Sequence, residues 1–559
     1  MLYSSIAIGE LIQLRIRRIK CDEGKPSCKR CSSTGRKCDG YAVIQVEEPE
    51  PALSLLTESD NSASPVSTTS SDVERKLISY VNHASLYMPG HLMEARALDY
   101  FQLHTACEFA GWFDIPFWTW QLPHVGNVEP IIRHAIIAVA SVHEQMEVIS
   151  DTSAAWDPSQ LEYRRRFALY HYNKAISELT KLAFSGHDST KITLVCCLLF
   201  ICLEFIRGNF STAEMHINSG LQILSRWTRE RTFRENLENQ SLDENLAQTF
   251  YRLGIQSSLC EKPLSIFYPD ISISKTINLH EDTRAFPDLI TARVALDSIL
   301  KETIRLLRLG AEVTLEPLSS LARLLFEEDV AVYMAESTVW YQNFENLCSQ
   351  MSKTMTFAEK QGAGDLHVWY LTARTWIESS HTPFETEFDA HLEKFQKIIE
   401  LGEQLFYKEG SPYQTPVASF TFEKGILPPV FFVAMRCRHR ILRRRAILLL
   451  KKASPRRVGM WNAELLAACA ERIIQIEEEG MGPVSEAEDE WPAEEKRIHG
   501  SDGIASQDYW VPPEVAMTSV VKGRTEYSRK GTRVQSVKYM MRPDGVEGKW
   551  KIRDEVIKW

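Results

Sequence analysis

Four cysteines near the N-terminus have the spacing of metal ligands. They follow a C-x6-C-x2-C-x6-C pattern and are Cys21, Cys28, Cys31 and Cys38. Thiolates are soft ligands that suit zinc, and a C-x2-C pair can chelate one ion from a tight turn. The spacing therefore predicts a metal-binding segment in which these four cysteines are the ligands.

The segment that carries the cysteines is strongly basic. From Arg15 to Cys38 there are nine Lys or Arg and two Asp or Glu, which gives a net charge of +7. The whole chain carries −10, so the remainder carries −17. A basic, cysteine-rich head on an acidic body indicates that the partner of the head is nucleic acid.

The run R-x-R-R-I-K-C-D, followed by K-P-x-C-x-x-C and G-x-x-C, resembles the second part of a fungal Zn(2)-Cys(6) binuclear cluster. This family consists of nuclear transcription factors. The resemblance implies a basic helix that enters the major groove of double-stranded DNA at CGG-type triplets. If the DNA contacts of this family are transferred to the matching positions, Arg17 and Arg18 would face bases or phosphates, while Arg15 and Lys20 would lie on phosphate.

The chain departs from this family at the first two cysteines of the cluster. Counting back from Cys21 places them at positions 11 and 14, where the sequence has Leu11 and Leu14. The family holds two zinc ions with six thiolates, whereas four thiolates could hold at most one. Because small metal domains take their folding free energy from the metal, we expect the head as written to be weakly folded or unfolded.

Three explanations for the leucines stay open. Residues 1–14 are a mis-assigned first exon, or the chain is a real variant with lost or weakened DNA binding. The third is that the four cysteines are unrelated residues of a disordered basic tail.

The composition excludes several classes of protein. A hydrophobic fraction of 44% and an aromatic fraction of 10% are globular values. The other eight of the twelve cysteines are scattered through apolar segments with helical spacing, where free cysteine acts as a small buried hydrophobic residue. Free cysteines of this kind fit a reducing compartment. Residues 1–10 lack the basic region and cleavage site of a signal peptide. The longest apolar run, Leu194 to Phe205, contains Glu204 and is too short to span a bilayer, so we expect no membrane contact.

The order of segments predicts a mainly α protein. We assign 1–41 to the truncated zinc-cluster-type segment and 42–75, rich in Glu, Pro, Ser and Thr, to a disordered linker. Residues 76–480 show apolar residues at helical spacing and are assigned to an all-α domain. An acidic linker over 481–515 and a basic, β-like tail over 516–559 complete the chain.

The helical region resembles the fungal-specific transcription factor regulatory domain from about residue 80 to about residue 480. Four segments carry this resemblance, namely Tyr100–Ala106, Trp112–Trp118, Glu129–Glu144 and Pro428–Arg438. It implies a transcription regulator, with a homodimer or a partner transcription factor as possible assemblies. The alternative is a regulator that has lost direct DNA binding and acts through a partner or small molecule held by its helical domain.

Other patterns allow two interpretations each. The aromatic run Gly111–His124 predicts core packing, with a ligand pocket or base stacking as the alternative. The arginine-rich stretch Val430–Lys452 predicts one helix with a solvated basic face, or a polyanion-binding or nuclear-import surface. Glu477–Glu495 predicts a solvated linker, or an acidic activation segment. The tail from Val537 to Ile552 predicts a β-hairpin. This basic hairpin is expected to dock on the acidic body, with a second nucleic-acid contact as the alternative.

The sequence lacks the common catalytic motifs, which argues against an enzyme. His143-Glu144-Gln-Met-Glu147 begins like a zinc-protease helix, but glutamate stands where the second histidine is required. The sequence has no nucleophile elbow, P-loop or dinucleotide fingerprint. Histidines such as His134 and His216 are expected to be satisfied or surface residues. We therefore expect no catalytic residues and no organic cofactor.

Overall fold

The computed structural model describes the chain from Leu92 onward, with gaps. The described ranges are 92–150, 158–184, 189–231, 240–260, 285–315, 320–380, 382–407, 420–421, 424–454, 457–459, 461–484, 490–502, 526–527, 533–545 and 548–558. All of them belong to one compact unit, Asn82–Trp559. The zinc-cluster-type segment and the linker predicted for 1–75 lie outside the described residues.

The first half of the described chain is helical. Its α-helices are α1 Leu92–Tyr100, α2 Ala106–Ala110, α3 Leu122–Val128, α4 Pro130–Ser150, α5 Pro158–Phe184, α6 Thr190–Ile206, α7 Phe210–Arg231 and α8 Gln240–Cys260. Two π-helical turns, Phe101–Thr105 and Phe117–Gln121, precede α2 and α3. The apolar run predicted as a buried helix is α6, whose residues from Leu194 to Ile206 are all buried. A helix that is apolar on every face has no side that favours water, so it lies in the interior.

The second half is also helical as far as Glu477. Its α-helices are α9 Leu289–Leu315, α10 Ser320–Met351, α11 Phe357–Glu378, α12 Leu392–Tyr407, α13 Leu427–Arg436, α14 Arg440–Ala453 and α15 Ala463–Glu477. A 3-10 helix, Glu385–His391, leads into α12. The local sequence explains where two of these helices begin. Thr356 and Glu359 form a capping box at α11, and the side chain of Asn462 caps α15.

The helices pack around two hydrophobic cores that meet at α8. Buried residues from Ala97 to Leu253 form the first core, and those from Ile255 to Ile557 form the second. A charged contact joins the same regions, because Asp114 accepts from Arg252 of α8 and from Arg293 of α9, both at 2.6 Å. Burial alone would raise the pKa of Asp114, but the two guanidinium groups outweigh burial and lower it.

The C-terminal tail forms the predicted β-hairpin. The strands are β1 Phe420–Thr421, β2 Arg457–Val458, β3 Trp461–Asn462, β4 Ile498–Asp502, β5 Glu526–Tyr527, β6 Arg533–Met541 and β7 Lys551–Lys558. Strands β6 and β7 pair antiparallel from Val534 opposite Lys558 to Met541 opposite Lys551. The turn predicted at Arg542 is present, since Gly545 has a φ of 82° and donates to the Arg542 carbonyl at 3.1 Å.

The hairpin docks on the helical body, as expected, but mainly through apolar residues. Val537 and Tyr539 are fully buried and belong to the second core together with Ile557. Strands β4 and β5 pair antiparallel with β6 along one edge, and β7 covers the other. The segment assigned to an acidic linker, 481–515, therefore contributes β4 and the 3-10 helix Glu494–Lys496.

Two interpretations of the sequence require correction. The stretch Val430–Lys452 is not one helix, because α13 ends at Arg436 and α14 begins after His439, whose side chain caps it. Glu477, predicted to lie in a solvated or activating acidic segment, is fully buried at the end of α15. Both differences arise from buried ion pairs that reach across the sequence.

The aromatic run packs as predicted for part of its length. Phe117 and Trp118 are 1% exposed, and Phe109 meets Trp118 edge to face at 5.3 Å between centroids. Trp120, in contrast, is 66% exposed and stacks on His124. Among the described helices, none is long and apolar enough to cross a membrane.

The close approach of α7 and α8 yields a stability prediction. A Cβ added at Gly220 would lie 2.1 Å from a ring carbon of Phe250, which is fully buried. Gly220→Ala gains about 1 kcal/mol of helix propensity, but overpacking a core costs roughly 1–3 kcal/mol. We expect a net loss of stability in urea denaturation. Gly482→Ala, where no atom lies within 4 Å, is the control. A Gly220→Ala protein as stable as the control would contradict the prediction.

Candidate functional site

The residues predicted to bind zinc and DNA lie outside the described part of the chain. These are Cys21, Cys28, Cys31, Cys38, Arg15, Arg17, Arg18 and Lys20. Their roles therefore stay predictions, and the described residues offer other features that could bind a ligand.

A cavity of about 570 Å³ opens between α10, α11 and α12. It is lined by Phe344, Glu345, Cys348, Ser349, Ser352, Lys360, Gln361, Ala363, Gly364, His367, Leu401, Gln404 and Leu405. Helix α11 comes close to α12 because Gly364 has no side chain, and a Cβ there would lie 3.2 Å from Leu405. This volume lies in the range of small-molecule sites.

The cavity presents polar groups, two of them the charged Glu345 and Lys360, beside an apolar wall. Gln361 is 3% exposed, and its side-chain oxygen accepts no hydrogen bond from the protein. Burial lowers the pKa of His367 to about 4, with Lys397 adding to the effect, so the imidazole is neutral near pH 7. Burial, and then Glu345, raise the pKa of Cys348 to about 11. A protonated thiol is a poor nucleophile, so the arrangement suits binding rather than covalent chemistry.

The arginine-rich stretch forms a buried network instead of a basic surface. Arg438 donates to Glu385 and to Glu477, each at 2.9 Å, and Arg443 donates to Glu477 at 2.8 Å. The Glu477 carboxylate also accepts from the backbone N–H of Ile498 at the start of β4. Burial would raise the pKa of Glu477, but the two arginines outweigh it and lower the pKa to about 2.

Both interpretations of this stretch as a solvent-facing surface were therefore wrong for its buried members. Arg436, Arg438, Arg440 and Arg443 are 8% exposed or less. Two neighbours that do reach the surface, Arg444 and Arg445, are held by Glu478 and Glu403. Sequence reasoning missed the network because its acidic members, Glu385 and Glu477, lie 53 and 39 residues away from Arg438.

Comparison with known proteins matches two regions of the chain. Residues 15–45 match the fungal Zn(2)-Cys(6) binuclear cluster domain, and residues 97–268 match the fungal specific transcription factor domain. Two parts of the chain are therefore similar to the domains of fungal zinc-cluster transcription regulators. The second match runs from α1 through α8 and covers the first core together with the start of the second, Ile255 and Leu259. The cavity and the buried arginines of the second core lie beyond that match.

One of two relatives extends the similarity along most of this chain. The aspercryptin biosynthesis cluster-specific transcription regulator atnN of Emericella nidulans is 25% identical and aligns with 84% of this chain and 87% of its own. The transcription regulator lscL of Purpureocillium lilacinum is 28% identical over 38% of this chain and 47% of its own. Both are named as regulators rather than as enzymes. No solved structure matches the chain.

The buried network around Glu477 predicts a stability that depends on pH. Glu477→Gln leaves Arg438 and Arg443 buried without their carboxylate, and breaking such a pair costs about 3–5 kcal/mol. Because the folded-state pKa of Glu477 is lowered to about 2, its contribution is present above an unfolded pKa of 4.5 and is lost as pH falls toward 2.

Urea denaturation at pH 7 and pH 4 would measure both effects. We expect a large difference between Glu477→Gln and the natural chain at pH 7 that narrows at lower pH. Glu403→Gln, which removes the surface pair with Arg445, is the matched control and should lose at most about 1 kcal/mol. Equal losses for the two variants would show that the buried network adds nothing beyond a surface ion pair.

Proposed function

We propose that this protein is a nuclear, sequence-specific DNA-binding regulator of genes transcribed by RNA polymerase II, and that it recognises CGG-type sites. One observation carries the proposal. The four cysteines Cys21–Cys38 and the basic run beginning at Arg15 coincide with the matched zinc-cluster domain, residues 15–45. The regulatory domain follows it in the order expected for this family.

Zinc has a structural part in this proposal. Cys21, Cys28, Cys31 and Cys38 would hold one ion tetrahedrally and fix the basic residues that precede Cys21. The family match begins at residue 15, beyond Leu11 and Leu14, where the first two cysteines of a complete cluster would stand. The head thus has ligands for one zinc and lacks two of the six thiolates that a two-zinc cluster uses.

The basic residues have separate parts in the proposal. Arg17 and Arg18 face the base edges, because bidentate contact between arginine and guanine is the commonest specific contact in the major groove. Arg15 and Lys20 lie on phosphates and provide affinity that falls steeply with salt. The name of the relative from Emericella nidulans supports clustered biosynthetic genes as the targets, since it is called a cluster-specific regulator.

A second candidate function rests on the cavity between α10, α11 and α12. In this alternative the protein no longer binds DNA itself and acts through an effector or partner held by its helical domain. The observation that favours it is the buried side-chain oxygen of Gln361 at a cavity of about 570 Å³. A small, partly apolar molecule with a hydrogen-bond donor would satisfy that oxygen.

Restoring the missing cysteines tests the DNA-binding proposal. We expect Leu11→Cys with Leu14→Cys to raise the zinc bound by the head to two ions and to tighten binding to a CGG-containing duplex. In that background, Arg17→Ala and Arg18→Ala should each lose roughly 1–3 kcal/mol of discrimination against a scrambled duplex.

Gel-shift titrations at two salt concentrations would separate the roles of the basic residues. Arg75→Ala, a basic residue of the predicted linker, is the control and should leave discrimination unchanged. If both arginine variants keep full discrimination for CGG, their assignment as base contacts is wrong. If the natural chain with its leucines already binds as tightly as the restored chain, the missing cysteines do not limit DNA binding.

The cavity predicts an opposite effect of one substitution on stability and on binding. Gln361→Met removes a buried acceptor without a partner while keeping the volume, so the unliganded protein should gain up to about 1–3 kcal/mol. In a thermal-shift screen, fragments with an N–H donor should raise the Tm of the natural chain and not that of Gln361→Met. Gln404→Met, at the exposed rim, is the control. Fragments that stabilise all three proteins alike would rule out Gln361 as the recognition group.

A further inference from the structure

The motif that fails as a zinc-protease signature is completed by a residue from another helix. His143 and Glu147 are one turn apart on α4, so their side chains share a face of that helix. Glu108 of α2 faces them, and its Oε2 lies 3.3 Å from Nε2 of His143. The π-helical turn Phe101–Thr105 leads into α2, and such turns are frequent at functional sites.

The spacing of the three side chains matches that of ligands on one metal ion. One ligand atom from each of Glu108, His143 and Glu147 lies within 4.8 Å of the other two. Two ligands placed at roughly 2.0–2.2 Å from a tetrahedral ion are about 3.4 Å apart. The contact between His143 and Glu108 already has that separation.

The state of His143 points to a cation rather than to a hydrogen bond. The residue is fully buried, and its Nδ1 lies 3.1 Å from Oγ1 of Thr105, which is also buried. In the tautomer in which Nδ1–H donates to Thr105, Nε2 keeps a lone pair, as in histidines that bind metals. Nε2 faces the Glu108 carboxylate but forms no hydrogen bond with it. A lone pair next to a carboxylate is repulsive unless a positive charge lies between them.

A neutral tyrosine and an aromatic ring pack beside the cluster. The Tyr100 hydroxyl donates to Glu147, and its pKa is raised by burial first and then by Glu147, Glu108 and Glu144. The rings of Tyr100 and Phe109 flank the imidazole at 5.8 and 5.5 Å between centroids. With a neutral imidazole the three ligands carry −2, which a divalent ion neutralises.

We propose that Glu108, His143 and Glu147 bind a divalent cation of the zinc class, with Nε2 and one oxygen of each carboxylate as ligands and water completing a tetrahedron. A histidine nitrogen with carboxylate oxygens is a donor set that zinc accepts. The ion joins α2 to α4 and thereby stabilises the start of the regulatory domain. Thr105 is a positioning residue that orients the imidazole. The site is separate from the cysteine head and does not depend on the proposed DNA binding.

The test uses the full chain with the cysteine ligands removed by Cys21→Ser, Cys28→Ser, Cys31→Ser and Cys38→Ser, together with Cys107→Ser next to the site. Zn²⁺ stoichiometry is measured by native mass spectrometry after dialysis, and Tm is measured with and without Zn²⁺. Co²⁺ serves as the spectroscopic probe, because thiolate ligands give charge-transfer bands that nitrogen and oxygen ligands lack. We expect about one ion per chain, a rise in Tm with Zn²⁺, and Co²⁺ spectra without thiolate bands.

Single substitutions in that background assign the ligands. His143→Ala and Glu147→Gln should each abolish binding and the Zn²⁺-dependent rise in Tm, while Thr105→Val should weaken binding about 10–100-fold. We expect Glu147→Gln to leave the protein folded, because the glutamine amide oxygen can still accept the hydrogen bond from the Tyr100 hydroxyl. His216→Ala, at a half-buried histidine that packs on Phe200, is the matched control and should bind normally.

The proposal is overturned if the cysteine-free chain binds no Zn²⁺, or if Glu147→Gln binds as well as its parent. Either outcome would show that these three side chains do not form the proposed site. Loss of Zn²⁺ from His216→Ala as well would also overturn the assignment, because binding would then follow the fold in general and not these three ligands.

Discussion

The buried carboxylate of Glu477 is the interaction on which the second half of the structure depends. It accepts from Arg438 before α14, from Arg443 within α14 and from the backbone of β4, so one side chain joins two helices to the C-terminal sheet. Burying three charges is unfavourable unless every one of them is paired. The position of the tail and the break between α13 and α14 are therefore set by the same ionic constraint.

A similar arrangement joins the two cores. Helix α8 is a single rigid element whose residues up to Leu253 pack in the first core and from Ile255 in the second. Asp114 adds a charged connection, because it binds Arg252 on α8 and Arg293 on α9. The family match ends near this junction, at residue 268, while the alignment with the relative from Emericella nidulans covers most of the chain. Most of the second core thus lies outside the matched domain, in a chain that aligns with this relative over most of its length.

Local patterns in the sequence were sufficient for much of the fold. The apolar run of α6 and the turn at Arg542–Gly545 were predictable, because helix burial and turn formation depend on residues close together in the chain. The buried arginines were not predictable, since their partners are distant and arginine is ordinarily a surface residue. The same limit applies to Glu108, which no spacing rule connects to His143. Of the candidate sites, the cysteines were proposed as ligands from spacing alone and stay a prediction, whereas the cavity and the proposed cation cluster could be found only from the fold.

The two proposed ligand sites of the described chain lie in different cores, and this bears on how the protein could respond to a signal. Glu108, His143 and Glu147 lie on α2 and α4 in the first core, and the cavity lies among α10–α12 in the second. A ligand changes a protein only by binding two of its states with different affinity. Coupling between the proposed sites has several described routes, because α8 and Asp114 connect the cores and Trp112 also packs against Phe357 at the start of α11. Because Asp114 is held by two arginines, a shift of α9 relative to α8 would strain a buried ion pair, so the junction favours one arrangement of the cores over intermediate ones.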